Sequence, residues 1–264
     1  MSLSSFFNKK LLKHTNNLVI EAACITHAGK SRDANEDNFY FRDSYLPMSH
    51  SSLIEPISAQ IPSKKMSIFS VFGGMGQENL GSLASYIGAI TIEKLYAETD
   101  FTNMSLYNAI RRMNSYVCSS AQSHPDAHMG TTMSTLIFFP DHVWTLNLGN
   151  NSIFLLRNTD LENIGLQQAA SVAKSFLGTD GQTQFLGMDE MIVPISPSIM
   201  DVPLEKNDVF LMCTDGLTDV VSETEIQQIL ESDMSTKEMV NALLNKALEY
   251  GSTDHITLII CKIL

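Results

Sequence analysis

The sequence has no apolar run long enough to cross a bilayer, so no membrane-spanning helix is expected and no membrane partner follows. Residues 1–17 hold Lys9, Lys10 and Lys13 but no apolar stretch leading to a small-residue cleavage site. No signal peptide is read there, and 1–17 is taken as an N-terminal extension or tag. Basic charge is scarce: 17 Lys and Arg against 29 Asp and Glu give a formal net charge of −12. Nucleic acid demands a basic surface, so it is excluded as a partner. There are only 4 cysteines, Cys24, Cys118, Cys213 and Cys261, and no two form a CxxC pair. Neither a zinc site nor a catalytic thiol is assigned; the thiols read as buried ones in a reducing, cytoplasmic setting. Internal repeats and low-complexity segments are also missing.

What is present is enough apolar matter for a sizeable core: 44% of 264 residues are hydrophobic. The acid excess suits a cation-binding cleft, and equally plain solubility. The chain is organised around Val209 to Val221. An apolar run, Val209 to Cys213, reads as a buried strand and stops at Asp215-Gly216. Ser222 with Glu225 three residues on is a capping box that opens a helix. An acid at the end of a buried strand either begins an Asx turn or holds a hard cation. On this stretch alone the turn is the simpler reading.

Taken in order, Leu18 to Thr26 and Asn38 to Phe41 read as strands, with Arg32, Glu36 and Asp37 on the turn between them. Asp43 to Lys65, with Pro47, Pro56 and Pro62, reads as an irregular connection or mobile insertion. Met66 to Phe72 is an apolar strand ending in Gly73-Gly-Met-Gly76, a turn through which backbone can approach a ligand. Leu80 to Tyr96 has helical spacing, with Leu83, Ile87, Ile90 and Leu95 as its stripe and Gly81, Ala84 and Ser85 for close packing. A second helix is expected over about Ser105 to Ser123. Met133 to Phe139 and Val143 to Leu148 follow as strands, then a type I′ hairpin turn at Gly149-Asn-Asn151 with Ile153 to Arg157 as partner strand. Asn158 to Thr183 reads as loop with some helix, and Met191 to Val202 contains a short strand. Helices over Glu223 to Glu231 and Ser235 to Tyr250 precede a last strand, Ile256 to Ile263. Strands and helices fall in blocks rather than alternating, which predicts an α+β fold with antiparallel sheets.

Glu36/Asp37, Asp215 and Asp254 each stand at a strand boundary, far apart in sequence. Strand ends converging on one rim would make an oxygen-rich cleft able to hold two metals, activate a water and clamp the oxygens of a phosphoryl displacement.

The ordered set resembles the PPM family, the metal-dependent type 2C protein serine/threonine phosphatases, in compact bacterial form. The resemblance rests on Gly29-Lys-Ser-Arg32 with Asn35-Glu-Asp37, Ser67 to Ala84, Gly130-Thr-Thr132, Asn147-Leu-Gly-Asn150, Phe185-Leu-Gly187, Asn207-Asp208 with Cys213 to Asp219, and Ser252 to Thr257. It implies a four-layer αββα sandwich of two antiparallel sheets flanked by helices, a single domain over 18–264, and a monomer. It implies two Mn2+ or Mg2+ ions and a phosphorylated protein substrate, with a cognate kinase or its target as further partner. By the resemblance Asp37, with Glu36, holds one metal; Asp215 and Asp254 hold the other; Gly74 offers its carbonyl; Asp219 serves a third, weaker site; Arg32 grips the phosphate. Arg32, Asp37 and Asp215 are thus the catalytic candidates.

The sequence departs from the family where it matters. Gly73 stands where the family has the carboxylate that bridges both metals, and Asn150 where it has the third-site Asp. Gln77 replaces a glycine, Asn151-Ser152 replaces Ser-Arg, and His255 replaces an Asn. His255 reads as a turn residue beside an acid, with an extra ligand or a phosphate contact as the alternatives. Loss of the bridge predicts a phosphatase of reduced or lost activity, with metal bound more weakly. The alternatives are a pseudophosphatase that binds a phosphoprotein or regulatory partner, and a plain two-sheet scaffold whose acids are solvated turns.

Overall fold

A computed structural model describes residues 18–76, 80–97, 99–123, 129–165, 184–191 and 194–264. Among them are β1 (Val19–His27), β2 (Asn38–Phe41), β3 (Ile57–Pro62), β4 (Ser67–Phe72), β5 (Gly74–Gly76), α1 (Leu80–Tyr96), α2 (Asn103–Ala121), β6 (Met129–Thr131), β7 (Met133–Phe138), β8 (His142–Leu148), β9 (Ser152–Arg157), β10 (Asp160–Asn163), β11 (Ser198–Pro203), β12 (Val209–Cys213), α3 (Asp215–Thr218), α4 (Glu223–Leu230), α5 (Thr236–Glu249) and β13 (Ile256–Ile263). The strands form a six-stranded sheet, β10-β9-β12-β13-β1-β3, a five-stranded sheet, β11-β8-β7-β4-β2, and a small ribbon, β5-β6. The pairings of these strands are antiparallel.

Strand alternation sorts the side chains into layers. Along β12, Phe210 and Met212 face the core between the sheets, while Val209, Leu211 and Cys213 face α4 and α5. The inter-sheet core takes Phe39, Phe69 and Phe138 from the five-stranded sheet and Ile20, Phe210 and Ile259 from the six-stranded one. The far face of the five-stranded sheet packs Phe72, Ile137 and Leu146 against α1 and α2. These three cores make the four-layer αββα sandwich. Helices α2, α4 and α5 each open with a capping box, at Thr102, Ser222 and Ser235.

Several expectations change. Gly149–Asn151 is not a hairpin turn: β8 lies in the five-stranded sheet and β9 in the six-stranded one, so the segment carries the chain from sheet to sheet. Only Gly149 there has a positive φ, +122°, whereas a type I′ turn needs two such residues. The segment is held instead by Asn147, whose buried amide donates to the carbonyls of Asn151 and Gly165. The Asp43 to Lys65 stretch contains β3, which pairs with β1 from Ile57 to Pro62. Gly74–Gly76 is a strand of the small ribbon rather than part of a turn, and the 158–183 stretch contains β10; residues 166–183 lie outside the described residues. On α1, Ile87 is buried as expected but Ile90 is exposed, and Ala84, Ala89 and Ile92 complete the packed face. The small residues do bring α1 close: a Cβ on Gly81 would stand 2.8 Å from the Met75 nitrogen. The expected extension, 1–17, and Gln77 lie outside the described residues.

Candidate metal and phosphate site

Six strand ends, of β2, β4, β8, β9, β12 and β13, bring the two sheets together at one rim. Asp37 immediately precedes β2, and Gly73 and Gly74 follow β4. Asp215 opens α3 beyond β12, and Asp254 stands two residues before β13. Asn150 lies between β8 and β9. The five-stranded sheet therefore supplies Asp37 and Gly73, the six-stranded sheet Asp215 and Asp254, and the inter-sheet connection Asn150.

Asp37 is buried, and its Oδ2 accepts from Thr214 Oγ1 at 2.9 Å and Thr257 Oγ1 at 2.8 Å. Behind it Thr257 meets Thr26 at 2.7 Å, and Asn35 donates to Thr26 at 2.8 Å. Burial pushes the Asp37 carboxyl up to about 7; the two hydroxyl donors oppose this, and the charges of Asp215 and Asp254 add to it. Asp215 is raised by burial, then by Asp254 and Asp219, while Asn150 lowers it by donating to Oδ2 at 2.6 Å. Glu36 is raised chiefly by burial, with Arg32 pulling it down and Asp254 pushing it up. Arg32 pairs with Asp254 at 3.2 Å; both side chains are about half exposed, so the pair contributes little to stability. Each of these acids feels the charge of its neighbours, the electrostatic condition a bound cation relieves.

The structure brings Glu36, Asp37, Asp215, Asp254 and Arg32 into one neighbourhood, with Asp219 exposed just past α3 at its edge. Gly74 packs against the Glu36 backbone so closely that a Cβ there would stand 2.1 Å from Glu36 O. Among the described residues, no three His, Cys, Asp or Glu side chains converge on a single point. The donor chemistry, hard carboxylate oxygens with one guanidinium paired to Asp254, fits Mn2+ or Mg2+. The centre does not reproduce a bridging carboxylate. At Gly73 the space for a Cβ is taken by Thr132 Oγ1, 2.6 Å away. That hydroxyl accepts from the Gly73 N–H at 3.0 Å and donates to Asn151 Oδ1 at 2.8 Å. Hydroxyl and amide thus stand beside Gly73.

Sequence reasoning missed the two threonines that hold Asp37, Thr214 and Thr257, and a third, Thr132, that fills the space beside Gly73. The signal was weak, because a buried threonine in a strand is ordinary; only its place beside an acid distinguishes it. His255 stands beside Asp254 in the segment before β13. It is buried, with Nε2 3.2 Å from the Ala34 carbonyl and Nδ1 3.8 Å from Asp254 Oδ1. Burial first, then Arg32, lowers its pKa below the usual histidine range.

A family model described as Stage II sporulation protein E (SpoIIE) matches residues 82–264. The serine/threonine phosphatase stp of Listeria welshimeri is 27% identical over 223 residues, covering 74% of this chain and 84% of its own. The serine/threonine phosphatase stp of Listeria monocytogenes serovar 1/2a is likewise 27% identical over 223 residues, with the same two coverages, 74% and 84%. Among solved structures, the catalytic domain of the phosphatase PstP in complex with two manganese ions superposes with a TM-score of 0.71 at 21% identity. That superposition covers 94% of this chain and 99% of the PstP chain. PppA, a regulatory component of T6SS in Pseudomonas aeruginosa, gives 0.73 at 20% identity over 94% of this chain and 100% of its own. At these identities the solved structures establish the fold alone: two antiparallel sheets with helices, as in PstP.

Proposed function

The chain belongs to the SpoIIE family of PPM-type, PP2C-like serine/threonine phosphatases, and on that premise we propose that its cleft hydrolyses phosphoserine or phosphothreonine in a protein substrate, with activity reduced by the glycine at position 73. The observation that carries the reading is that Asp37 from one sheet lies near enough to Asp215 and Asp254 from the other to feel their charges, with Arg32 paired to Asp254 at 3.2 Å. Asp37 with Glu36 would hold one Mn2+ or Mg2+, Asp215 and Asp254 the other, Gly74 would add a carbonyl, and Asp219 would serve a weaker third position. When bound, the ions supply an activated water and neutralise the oxygens of the transferred phosphoryl group. Arg32 offers the planar fork that suits a phosphate. Thr214 and Thr257 fix the Asp37 carboxylate in one orientation.

Gly73 offers no carboxylate to bridge two dications, and Thr132 and Asn151 supply only neutral oxygens beside it. Loss of a bridge between two ions is expected to reduce turnover by roughly a thousandfold or more. The test is manganese calorimetry alongside turnover of p-nitrophenyl phosphate, for this chain and for Gly73→Asp. The reading expects weak manganese binding and slow turnover in the parent, and stronger binding and faster turnover in the variant. Full activity in the parent would refute the role given to Gly73.

A second reading, a pseudophosphatase that binds a phosphoprotein or regulatory partner without turnover, is favoured by one further observation. Asn150 places an amide on Asp215 where the family has an acid. Phosphopeptide binding with no turnover in either protein would select it. The rest of the proposal is a single domain over 18–264, monomeric and cytoplasmic, acting on the product of a protein kinase. No helix of the described residues is long and apolar enough to cross a membrane.

A further inference from the structure

Two loops carry the Arg32–Asp254 pair of the cleft: the β1–β2 loop bears Arg32, and the turn before β13 bears Asp254. They are laced together. The Lys30 N–H donates to Ser252 O at 3.1 Å, and Ser31 Oγ donates to Thr253 O at 3.1 Å. Gly29, with φ +79°, lies so close that a Cβ on it would stand 2.4 Å from Asp254 O. These ties precede Arg32. Asn35, beyond Arg32, is fixed elsewhere: its N–H donates to His50 O, and its amide donates to Thr26 Oγ1 and Ser51 O. Among the described residues, the tie that joins the far side of the Arg32 loop to the Asp254 turn is His255, whose Nε2 stands 3.2 Å from Ala34 O. A carbonyl only accepts, so this nitrogen carries the proton. The His255 backbone N–H meanwhile donates to Asp254 Oδ1 at 2.8 Å. One residue thereby grips Asp254 through its backbone and the Arg32 loop through its ring.

We propose that His255 is a positioning residue: its buried ring clamps the Arg32 loop to the Asp254 turn, and so sets the guanidinium where it meets the substrate phosphate. This inference rests on the phosphatase reading of the cleft. The ring points into the loop backbone and is 3% exposed, so it does not touch phosphate itself. Its Nδ1, 3.8 Å from Asp254 Oδ1, is beyond hydrogen-bond reach. Its effect on the reaction therefore passes through Arg32.

The test compares the full chain with His255→Ala, His255→Ser and His255→Gln. The glutamine amide can present an N–H near the position of the imidazole Nε2, whereas alanine and serine cannot. Amide hydrogen exchange over residues 30–35 reads the clamp directly, and calorimetry reads inorganic phosphate binding at saturating manganese and manganese binding without phosphate. The expected result is faster exchange at 30–35 and about tenfold weaker phosphate binding in the alanine and serine variants, with manganese affinity held within about twofold. Glutamine should restore both. Unchanged exchange overturns the proposal. So does a fall in manganese affinity that matches the loss of phosphate, because His255 would then act on the metal ligand Asp254 rather than on Arg32. Failure of glutamine to restore what serine loses also overturns it. If the parent neither binds phosphate nor turns over substrate, the phosphatase reading falls. The exchange rates still decide the clamp: faster exchange supports it and unchanged exchange overturns it.

Discussion

The hydroxyl of Thr132 fills the space into which a side chain on residue 73 would project, and it is engaged on both sides, by the Gly73 N–H and by Asn151 Oδ1. Its methyl group is wedged near Gly149, where a Cβ would meet Thr132 Cγ2 at 2.5 Å. The hydroxyl therefore cannot swing freely. Gly73→Asp on its own is expected to lower stability by about 1–3 kcal/mol, the usual cost of inserting atoms into a packed site. Gly73→Asp with Thr132→Ser should recover most of that loss, because serine leaves the methyl position free for its hydroxyl. Thermal unfolding of the two variants without metal checks this; equal melting temperatures would show that Thr132 is not the obstacle. Residues of this kind were only partly legible in the sequence. The acids Asp37, Asp215 and Asp254 announce themselves by standing where apolar strands end. The threonines and Asn151 that orient or displace them do not, since their roles depend on partners tens to hundreds of residues away.

At the scale of elements, the local signals read well. The capping box at Ser222 and Glu225 opens α4 as the sequence implies, and β13 spans Ile256–Ile263 as its apolar run implies. Pairing across the fold was not legible: β8 and β9 look like a hairpin because they are adjacent, but each finds its neighbours in a different sheet. Glu225 also does something the capping box does not reveal. It joins α4 to α5 by accepting from Lys246 at 2.9 Å and from the Tyr250 hydroxyl. The Tyr250, Lys246 and Ser222 donors hold its carboxyl down at about 2, against an ordinary value near 4.5. A depressed acid stabilises the fold above its unfolded pKa and loses that contribution as pH falls towards its folded value. The melting-temperature gap between the parent and Glu225→Gln should therefore be widest above about pH 5 and close by about pH 2. Thermal scans across that window test it, and a gap that does not change with pH would remove Glu225 as the link. A second joint lies at α2. Buried Asn114 accepts from the Gly187 N–H at 2.6 Å and donates to Met188 O at 2.9 Å. Next to it, Leu186 exchanges backbone hydrogen bonds with Thr131 at 2.8 and 2.9 Å, one residue before Thr132. Asn114→Ala should cost about 2 kcal/mol, from the lost side-chain hydrogen bonds to Met188, Glu190 and Gly187, with the half-buried Gly187 N–H left unpaired. Denaturant unfolding gives the number, and a loss below about 0.5 kcal/mol would mean the 187–190 segment is held by other contacts.

At the scale of the whole molecule, the cleft belongs to neither sheet. Asp37 and Gly73 come from the five-stranded sheet and Asp215 and Asp254 from the six-stranded one, so the spacing of the acids is set by the core between the sheets. Phe210 sits in that core, buried, with its ring 5.7 Å from that of Phe138 on the opposite sheet. Leu243 of α5 is equally buried but packs behind the six-stranded sheet, in the core that faces the helices. Truncating either to alanine should destabilise the fold by a similar amount, about 3–5 kcal/mol for Phe210 and 2–5 kcal/mol for Leu243. Their effects on the cleft should differ. Phe210→Ala loosens the contact that fixes one sheet against the other, and so moves Asp37 relative to Asp215 and Asp254. Leu243→Ala loosens a helix behind a sheet whose own hydrogen bonds still hold β12 and β13 together. Manganese affinity, measured at a temperature where both variants remain folded, should fall several-fold in Phe210→Ala and stay close to the parent in Leu243→Ala. The contrast appears if the ion held by Asp37 and Glu36 and the ion held by Asp215 and Asp254 bind as a coupled pair, one from each sheet. Equal affinity in the two variants would mean that the two positions fill independently, each held by the acids of its own sheet.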